Sequence, residues 1–237
     1  MRQEPSDKGE MVNQVLYGEI FKIPERRAKW SRIRLSHDKY EGWVDNKQFV
    51  EISEEQYNMA FAKSPQLAGD LLQMVTCSDD NIMSIPMGSC VSHQEILEDH
   101  FEGNILGTPK DKSEFINTAL LYLKSPYLWG GRTPFGIDCS GFTQMVYRLN
   151  GHKLLRDASQ QATQGEALSF IEESEPGDLA FFDNSEGDIT HVGLIMQDNY
   201  IIHAHGEVRI DRLDHSGIYN AERRMHTHKL RVIKKVI

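Results

Sequence analysis

The sequence predicts an α+β protein in which β-rich modules precede a domain of mixed helices and strands. Two patterns along the chain support this class. Residues 12–50 hold short alternating apolar runs split by polar turns, which is typical of a small antiparallel β-barrel. From about residue 110 the apolar residues take helical spacing, and strand-like runs follow. We therefore expect three parts, which are residues 1–52, residues 53–107 and residues 108–237.

The first two parts are predicted to be β-rich, with one short helix between them. Barrel strands are expected at three apolar runs, which are Val12–Ile23, Trp30–Leu35 and Gly42–Val50. Ser53 and Gln56 form a capping-box pattern, which predicts a helix that ends near Pro65. Short apolar runs return between residues 65 and 107 and predict a second, smaller β unit.

The third part is predicted to contain three helices and then strands. Ser113 can cap a first helix that ends before Pro126. A second helix follows Cys139, with its apolar residues on one face and Gly151 as its C-terminal cap. A brief helix is expected at Ser159–Ala162. Strands are expected at four later runs, which are Leu179–Phe182, Thr190–Met196, Tyr200–Ala204 and Lys229–Val236.

The composition excludes several classes of protein. The chain has 237 residues, with 26 Lys and Arg against 35 Asp and Glu, a formal charge of −9 and 39% hydrophobic residues. This acidic balance disfavours nucleic-acid binding, and the longest uncharged stretch is too short and polar to span a membrane. The N-terminus lacks the apolar core of a secretory signal, and three widely spread cysteines make no disulfide framework. We therefore expect a cytoplasmic protein, or an exported one if a leader has been removed.

The string Asp138-Cys139-Ser140-Gly141 places a cysteine at the start of the second helix. There the positive end of the helix dipole and the unpaired backbone N–H groups favour a thiolate, which lowers the thiol pKa from about 8.5. The same N–H groups can bind the oxyanion that forms when a thiolate attacks an acyl carbon. Cys139 is therefore a candidate nucleophile.

Histidines on two neighbouring strands are the candidate partners of Cys139. His191 begins the strand before the turn at residues 197–199, and His203 lies in the strand after it. So short a connection joins antiparallel strands, and a pairing centred on residue 197 or 198 opposes His191 to His203 or to His205. In either register all three imidazoles project from one face, where two ring nitrogens can orient each other beside the thiol.

These motifs resemble the NlpC-type cysteine peptidases of bacterial cell-wall metabolism. The resemblance covers about residues 110–237 in the family's order. The strings that carry it are Tyr127–Thr133, Asp138–Phe142, Arg156–Gln161, Pro176–Leu179, His191–Gly193 and Ile202–Ala204. Residues 12–50 are similar to the bacterial SH3-like modules that precede this domain in one branch. That branch comprises γ-D-glutamyl-L-diamino acid endopeptidases, including recycling enzymes that act on free murein peptides.

The resemblance implies a papain-like catalytic domain at residues 108–237, behind an SH3-like domain and a linker helix with a second, smaller SH3-like unit. In that fold Cys139 would be the nucleophile, His191 the base, and His203 the residue that orients His191. His205 lies on the same face, and only the family motif excludes it from the catalytic residues. Asp157 is expected to cap or brace a helix.

The resemblance also implies a pocket for the free N-terminal ammonium of a stem peptide. Asp138 matches the position that holds this ammonium, and Tyr40 matches an SH3-module tyrosine that leans over the site, unless its ring only packs the barrel core. Glu19 is a third candidate. Ser140 and Trp129 would line the cleft around D-Glu, with Arg132 a looser suggestion. Since an acylated terminus would leave the buried carboxylates unpaired, we expect stems still attached to glycan to be rejected.

Two other functions stay open. An amidase that cuts between muramic acid and L-Ala, or a related acyltransferase, would keep the catalytic residues but would have no free ammonium to bind. A cell-wall binding protein with an inactive domain would be expected to have lost Cys139, His191 or His203.

No metal or organic cofactor is expected. Cys77 and Cys90 lack further ligands at zinc-finger spacing and are expected to be isolated core cysteines. His226 and His228 have no carboxylate or cysteine close by in the sequence. The expected partner is a murein peptide that carries either L-Lys or meso-diaminopimelate, and a monomer is favoured.

Overall fold

The computed structural model describes all of residues 1–237, and the chain divides into two compact units. The first unit comprises residues 1–108 together with residues 129–133, and the second comprises residues 109–128 and 134–237. The division into three parts stays a prediction. None of the helices combines the length and the apolar character needed to cross a membrane.

The first unit begins with a three-stranded antiparallel sheet of β1 (Phe21–Arg26), β2 (Trp30–Leu35) and β3 (Glu41–Asp45). Ile33 and Leu35 alternate along β2 toward a small core that Val44 completes from β3. This alternation is the pattern that predicted strands at these positions.

No strand forms at Val12, Val15 and Leu16, and the first strand begins only at Phe21. The chain instead turns over Leu16–Glu19, where the Glu19 N–H donates to the Leu16 carbonyl and Gly18 takes a φ of +72°. A Cβ at Gly18 would also collide with the backbone carbonyl of Cys90, so the turn needs glycine for two reasons.

The rest of the first unit contains short elements, as predicted. The helix α1 (Glu54–Ala62) has the expected capping box, since the Ser53 side chain accepts from Gln56 N–H and the Gln56 side chain accepts from Ser53 N–H. The later elements are β4 (Leu67–Ala68), β5 (Leu72–Thr76), β6 (Ile82–Pro86), α2 (Gln94–Leu97), β7 (His100–Phe101), β8 (Ile105–Leu106) and β9 (Arg132–Thr133). Strands β6, β5 and β7 form one sheet, and β4 pairs with β8.

The second unit is built on helices and one large sheet. It begins with a 3₁₀ turn at Lys112–Glu114 and α3 (Phe115–Leu120). Helix α3 ends earlier than Pro126 because the chain passes into turns and Lys124 adopts a left-handed φ of 70°. Next come β10 (Gly136–Ile137), α4 (Cys139–Leu149) and α5 (Ala158–Gln161).

The sheet of the second unit has seven antiparallel strands. They are β11 (Glu166–Leu168), β12 (Leu179–Asp183), β13 (Ile189–Ile195), β14 (Tyr200–His205), β15 (Glu207–Asp214), β16 (Gly217–Asn220) and β17 (Met225–Lys235). Strand β17 pairs with β12 and also with β16, so six strands close into a ring. Helix α4 lies against β13 and β14. The predicted α+β class is confirmed, although β11, β15 and β16 were not predicted.

Candidate active site

Cys139 is the first residue of α4, as the sequence predicted. Asp138 is the N-cap, and its carboxylate Oδ1 accepts a hydrogen bond from the Gly141 N–H at 2.6 Å. Cys139 is only 5% exposed. The backbone N–H groups of Ser140 and of Val192, on β13, both donate toward its sulfur. The thiol therefore lies among backbone donors at the start of a helix, where an oxyanion can be stabilised.

The protonation state of Cys139 differs from the expectation. Burial raises the pKa of the thiol to about 12, and the negative charge of Asp138 adds to this effect. The Ser140 and Val192 N–H groups and the Arg156 guanidinium lower the pKa but do not offset the loss of water. Burial therefore reverses the direction of the pKa shift that the helix start predicted, and the thiol needs a base for its deprotonation near neutral pH.

His191 and His203, the predicted base and its predicted orienting residue, lie on adjacent strands. Strands β13 and β14 pair with Leu194 opposite Ile202, which is one of the two registers that the sequence allowed. His191 Nε2 and His203 Nδ1 are 2.8 Å apart, so these two imidazoles share a hydrogen bond. Both rings are at least 95% buried.

A residue that the sequence analysis missed fixes the tautomers of this pair. His203 Nε2 lies 3.1 Å from the Asp211 carboxylate on β15, and this carboxylate is held by Arg209. Because a carboxylate only accepts, His203 carries its proton on Nε2 and accepts from His191 through Nδ1. His191 is then protonated on Nε2, which leaves its Nδ1 lone pair as the base. The sequence did contain a signal for this strand, because the apolar Val208 and Ile210 alternate with the polar Arg209 and Asp211. The strand β15 was nevertheless not predicted.

His191 is neutral in the free enzyme. Burial lowers its pKa well below 6.5, and the nearby imidazoles of His203, His228 and His205 lower it further. No hydrogen bond joins His191 to the sulfur of Cys139. Such contacts often tighten only when substrate binds, so the pair is poised for proton transfer rather than already ionised.

A second pair of imidazoles surrounds the base. The ring of His228, on β17, stacks on that of His191 with centroids 4.1 Å apart and planes inclined by 26°. The ring of His205 stands perpendicular to His228 at 4.8 Å. The sequence analysis expected no carboxylate close to His226 and His228, but His226 pairs with Asp214. It did not place His228 beside His191, because this neighbourhood depends on the closure of the strand ring, which brings β17 beside β12.

The two candidate residues that flank the nucleophile are held by a buried arginine. Arg156 donates to Asp138 through both terminal nitrogens, at 2.6 and 3.0 Å, and to the hydroxyl of Ser140 at 2.9 Å. Asp157 caps α5 in a capping box with Gln160, as expected. Arg156 was part of the quoted motif, but its role had no separate signal in the sequence.

The remaining candidates belong to the first unit. Glu19 is buried and forms a bidentate ion pair with Arg132 at 3.0 and 3.1 Å. The half-buried Tyr40 packs on the small core around Ile33. Trp129 is 56% exposed. Their roles toward a substrate, and those of Asp138 and Ser140, stay predictions.

The second unit has the architecture of a papain-like cysteine peptidase. A helix begins with Cys139, the predicted nucleophile, and a neighbouring strand carries His191, the predicted base, which is hydrogen-bonded to His203.

Comparison with known families agrees. Residues 124–228 match the NlpC/P60 family, and residues 1–49 match the bacterial dipeptidyl-peptidase Sh3 domain. The chain therefore carries an NlpC/P60 domain behind a bacterial SH3 domain, and it is a cell-wall peptidase of the cysteine class.

Several named proteins are similar to this chain. Dipeptidyl-peptidase 6 of Lysinibacillus sphaericus is 28% identical over 89% of this chain and 87% of its own length. The γ-D-glutamyl-L-lysine dipeptidyl-peptidase of Bacillus subtilis is 39% identical over 41% of this chain and 32% of its own. The crystal structure of an NlpC/P60 family protein from Bacillus cereus superposes with a TM-score of 0.74, at 20% identity, over 95% of this chain and 82% of that one. At this identity the superposition shows the fold.

Proposed function

We propose that the chain hydrolyses the γ-D-glutamyl-L-diamino acid bond of murein stem peptides that begin with a free L-Ala. The relatives named as dipeptidyl-peptidases support this proposal, since one of them matches along nearly the whole chain. Such an enzyme cuts after the second residue and must therefore recognise the free N-terminus. The observation that carries the proposal is the buried carboxylate of Asp138, one residue before the nucleophile.

The ion pair between Asp138 and Arg156 changes how the ammonium would be recognised. We expected carboxylates that stay unpaired until the ammonium binds, but both Asp138 and Glu19 already contact guanidinium groups. Oδ1 of Asp138 already accepts from Gly141 N–H, Arg156 and Ser140, whereas Oδ2 accepts from Arg156, so an ammonium would have to approach Oδ2. N-acetylation of the substrate then removes one charge-assisted hydrogen bond, which corresponds to roughly tenfold to hundredfold slower cleavage rather than complete rejection.

The catalytic steps follow from the tautomers of the site. His191 Nδ1 removes the proton of Cys139, and the sulfur attacks the γ-carbonyl carbon of D-Glu. Backbone N–H groups at the start of α4 stabilise the oxyanion. The C–N bond breaks as His191 returns the proton to the leaving α-amine of the diamino acid. Water, deprotonated by His191, then hydrolyses the thioester and releases L-Ala-D-Glu with Cys139 restored.

The test is hydrolysis of L-Ala-γ-D-Glu-L-Lys, compared with its N-acetylated form and with the meso-diaminopimelate peptide. The Cys139→Ala variant should abolish release of the diamino acid. Cys90→Ala is the matched control, because Cys90 is also a buried free cysteine but lies in the first unit. Equal cleavage of the free and acetylated peptides would still support a peptidase, but it would contradict the proposal that Asp138 binds the ammonium. Cleavage of muramoyl-L-Ala bonds instead would favour the amidase.

The free ammonium also restricts where the substrate comes from. Only stems released from the glycan carry it, so we propose a place in peptidoglycan recycling and a cytoplasmic location. Cell fractionation with an antibody to the chain checks this location, and recovery in the culture medium alone would contradict it.

A further inference from the structure

The second unit contains a cavity of about 400 Å³ to which the steps above assign no role. The imidazole of the base His191 forms one wall. Two further imidazoles, His205 and His228, line the cavity together with Tyr127 and Thr190. Two imidazoles are more than the base needs for its own orientation, since His203 already fixes its tautomer.

The two additional imidazoles can each donate a hydrogen bond into the cavity. The Thr227 hydroxyl can donate to His228 Nδ1 at 2.9 Å or to the Ile218 carbonyl at 3.5 Å, and we assign the shorter bond. The proton of His228 then lies on Nε2, which makes no hydrogen bond within the protein. No hydrogen bond within the protein reaches the half-buried ring of His205. Burial lowers the pKa of both rings, to about 3 for His228, so both are neutral near pH 7 and each carries one N–H.

The charge around the cavity suits an anion. The guanidinium groups of Arg223 and Arg209 lie close enough to His205 to lower its pKa. Asp211 is the acidic group that acts on both imidazoles, and it is already engaged by His203 and Arg209. Arg209 is itself paired with Asp211 and Glu222, so its charge is offset. A ligand carboxylate here would therefore meet two neutral N–H donors and the nearby positive charge of Arg223.

The reaction determines which part of the substrate lies beside His191. This residue returns a proton to the leaving amine, so the leaving residue must occupy the side of the site that the base faces. In a diamino acid the carbon next to this amine also bears the α-carboxyl group. We propose that the cavity is the subsite for the leaving diamino acid, and that His205 and His228 donate hydrogen bonds to its α-carboxylate. This inference rests on the proposed function.

The experiment compares L-Ala-γ-D-Glu-L-Lys with the same peptide amidated at its C-terminus. The protein should prefer the free acid by roughly tenfold to hundredfold in kcat/KM, because amidation replaces a charged acceptor. His205→Phe and His228→Phe keep an aromatic ring and remove the donors, and we expect the preference to fall toward one in each. His226→Phe is the control, since His226 lies on the same strand, is exposed and pairs with Asp214.

The ratio separates recognition from a structural effect. A variant that merely distorts the site lowers both rates together and leaves the preference intact, and this result in both variants would overturn the inference. Equal cleavage of acid and amide by the unmodified protein would also overturn it, while the proposed function would stand.

Binding of the product gives a test that does not depend on cleavage. Imidazole NMR signals of His205 and His228, assigned with the two variants, should shift with L-Lys and not with L-lysinamide. If the peptides are not cleaved at all, the proposed function fails and this titration decides the inference. No shift with millimolar L-Lys would overturn it.

Discussion

At the scale of single residues, the site is organised by a carboxylate whose hydrogen-bond partners are His203 and Arg209 and not Cys139. Asp211 accepts a hydrogen bond from His203 and thereby determines which ring nitrogen of His191 is unprotonated. Without this carboxylate, His203 can carry its proton on Nδ1, and His191 then presents a protonated Nδ1 to the thiol. The wrong tautomer is known to be costly in triads of this kind.

We predict that Asp211→Ala lowers kcat by roughly tenfold to hundredfold with little change in KM, an effect smaller than that of altering the acid directly bonded to a catalytic imidazole. Steady-state kinetics with the γ-D-Glu peptide measures both constants. Asp214→Ala is the control, because Asp214 lies on the same strand and pairs with the exposed His226. Equal losses in the two variants would indicate general damage to β15.

The protonation of Cys139 gives a second prediction at this scale. A thiol whose pKa is raised to about 12 reacts slowly with iodoacetamide at pH 6, and its rate rises steadily through pH 9. The acid limb of kcat/KM should lie below pH 6.5, since the pKa of His191 is lowered and the base stays neutral there. Alkylation followed by peptide mass spectrometry distinguishes Cys139 from Cys77. Fast labelling with a plateau near pH 6 would instead indicate a preformed thiolate–imidazolium pair.

At the scale of elements, the first turn of α4 is anchored by α5 and by Arg156, which lies two residues before α5. Arg156 binds Asp138 and Ser140, and the Gln161 amide donates to the Ser140 carbonyl. All four of these side chains are at least 94% buried. The position of the nucleophile thus depends on a charged pair that is enclosed by protein.

We predict that Arg156→Ala lowers the free energy of unfolding by roughly 3–5 kcal/mol, because it removes the positive charge that balances the buried carboxylate of Asp138. Urea unfolding followed by circular dichroism measures this change. Lys124→Ala is the control for an exposed pair, with Glu207, and should cost at most about 1 kcal/mol.

A double variant separates lost charge from lost packing. Arg156→Met with Asp138→Asn keeps the side-chain volume and the N-cap while removing both charges. It should recover most of the stability. If it is as unstable as Arg156→Ala, the loss comes from the packing of the guanidinium.

Elements that carry a local signal were predictable, and those that depend on distant pairing were not. The capping box at Ser53 and the apolar face of α4 follow from nearby residues, and both were found. Cys139 at a helix start and His191 and His203 on paired strands were placed correctly for the same reason, while their catalytic roles stay predictions. By contrast, the place of His228 depends on β17 meeting β12 and β16, which no local pattern specifies.

The same limit applies to charge. The helix start at Cys139 predicted a lowered thiol pKa, but the extent of burial belongs to the tertiary structure and reverses the direction. Likewise, Arg156 and Asp138 lie 18 residues apart, and their pairing could not be read from composition or periodicity.

At the scale of the whole molecule, the chain crosses between the units twice within a few residues. Residues 129–133 lie between two stretches of the second unit, yet they fold with the first. Arg132 is entirely buried there between Glu19 and the backbone of Gln14. Glu19 therefore has a structural role whatever it does toward substrate, and loss of activity on its removal would not by itself show contact with the ammonium.

Because its guanidinium is enclosed, Arg132 should resist trypsin in the intact protein. We predict that Glu19→Ala releases residues 129–133 and produces early cleavage after Arg132, as the buried guanidinium loses its partner. Limited proteolysis with mass spectrometry detects the new terminus at Thr133. Glu10→Ala is the matched control, since it removes the acceptor of the Trp129 indole in the same segment but leaves the Arg132 pair. Equal cleavage in the unmodified protein and in Glu19→Ala would show that this ion pair does not hold the segment in the first unit.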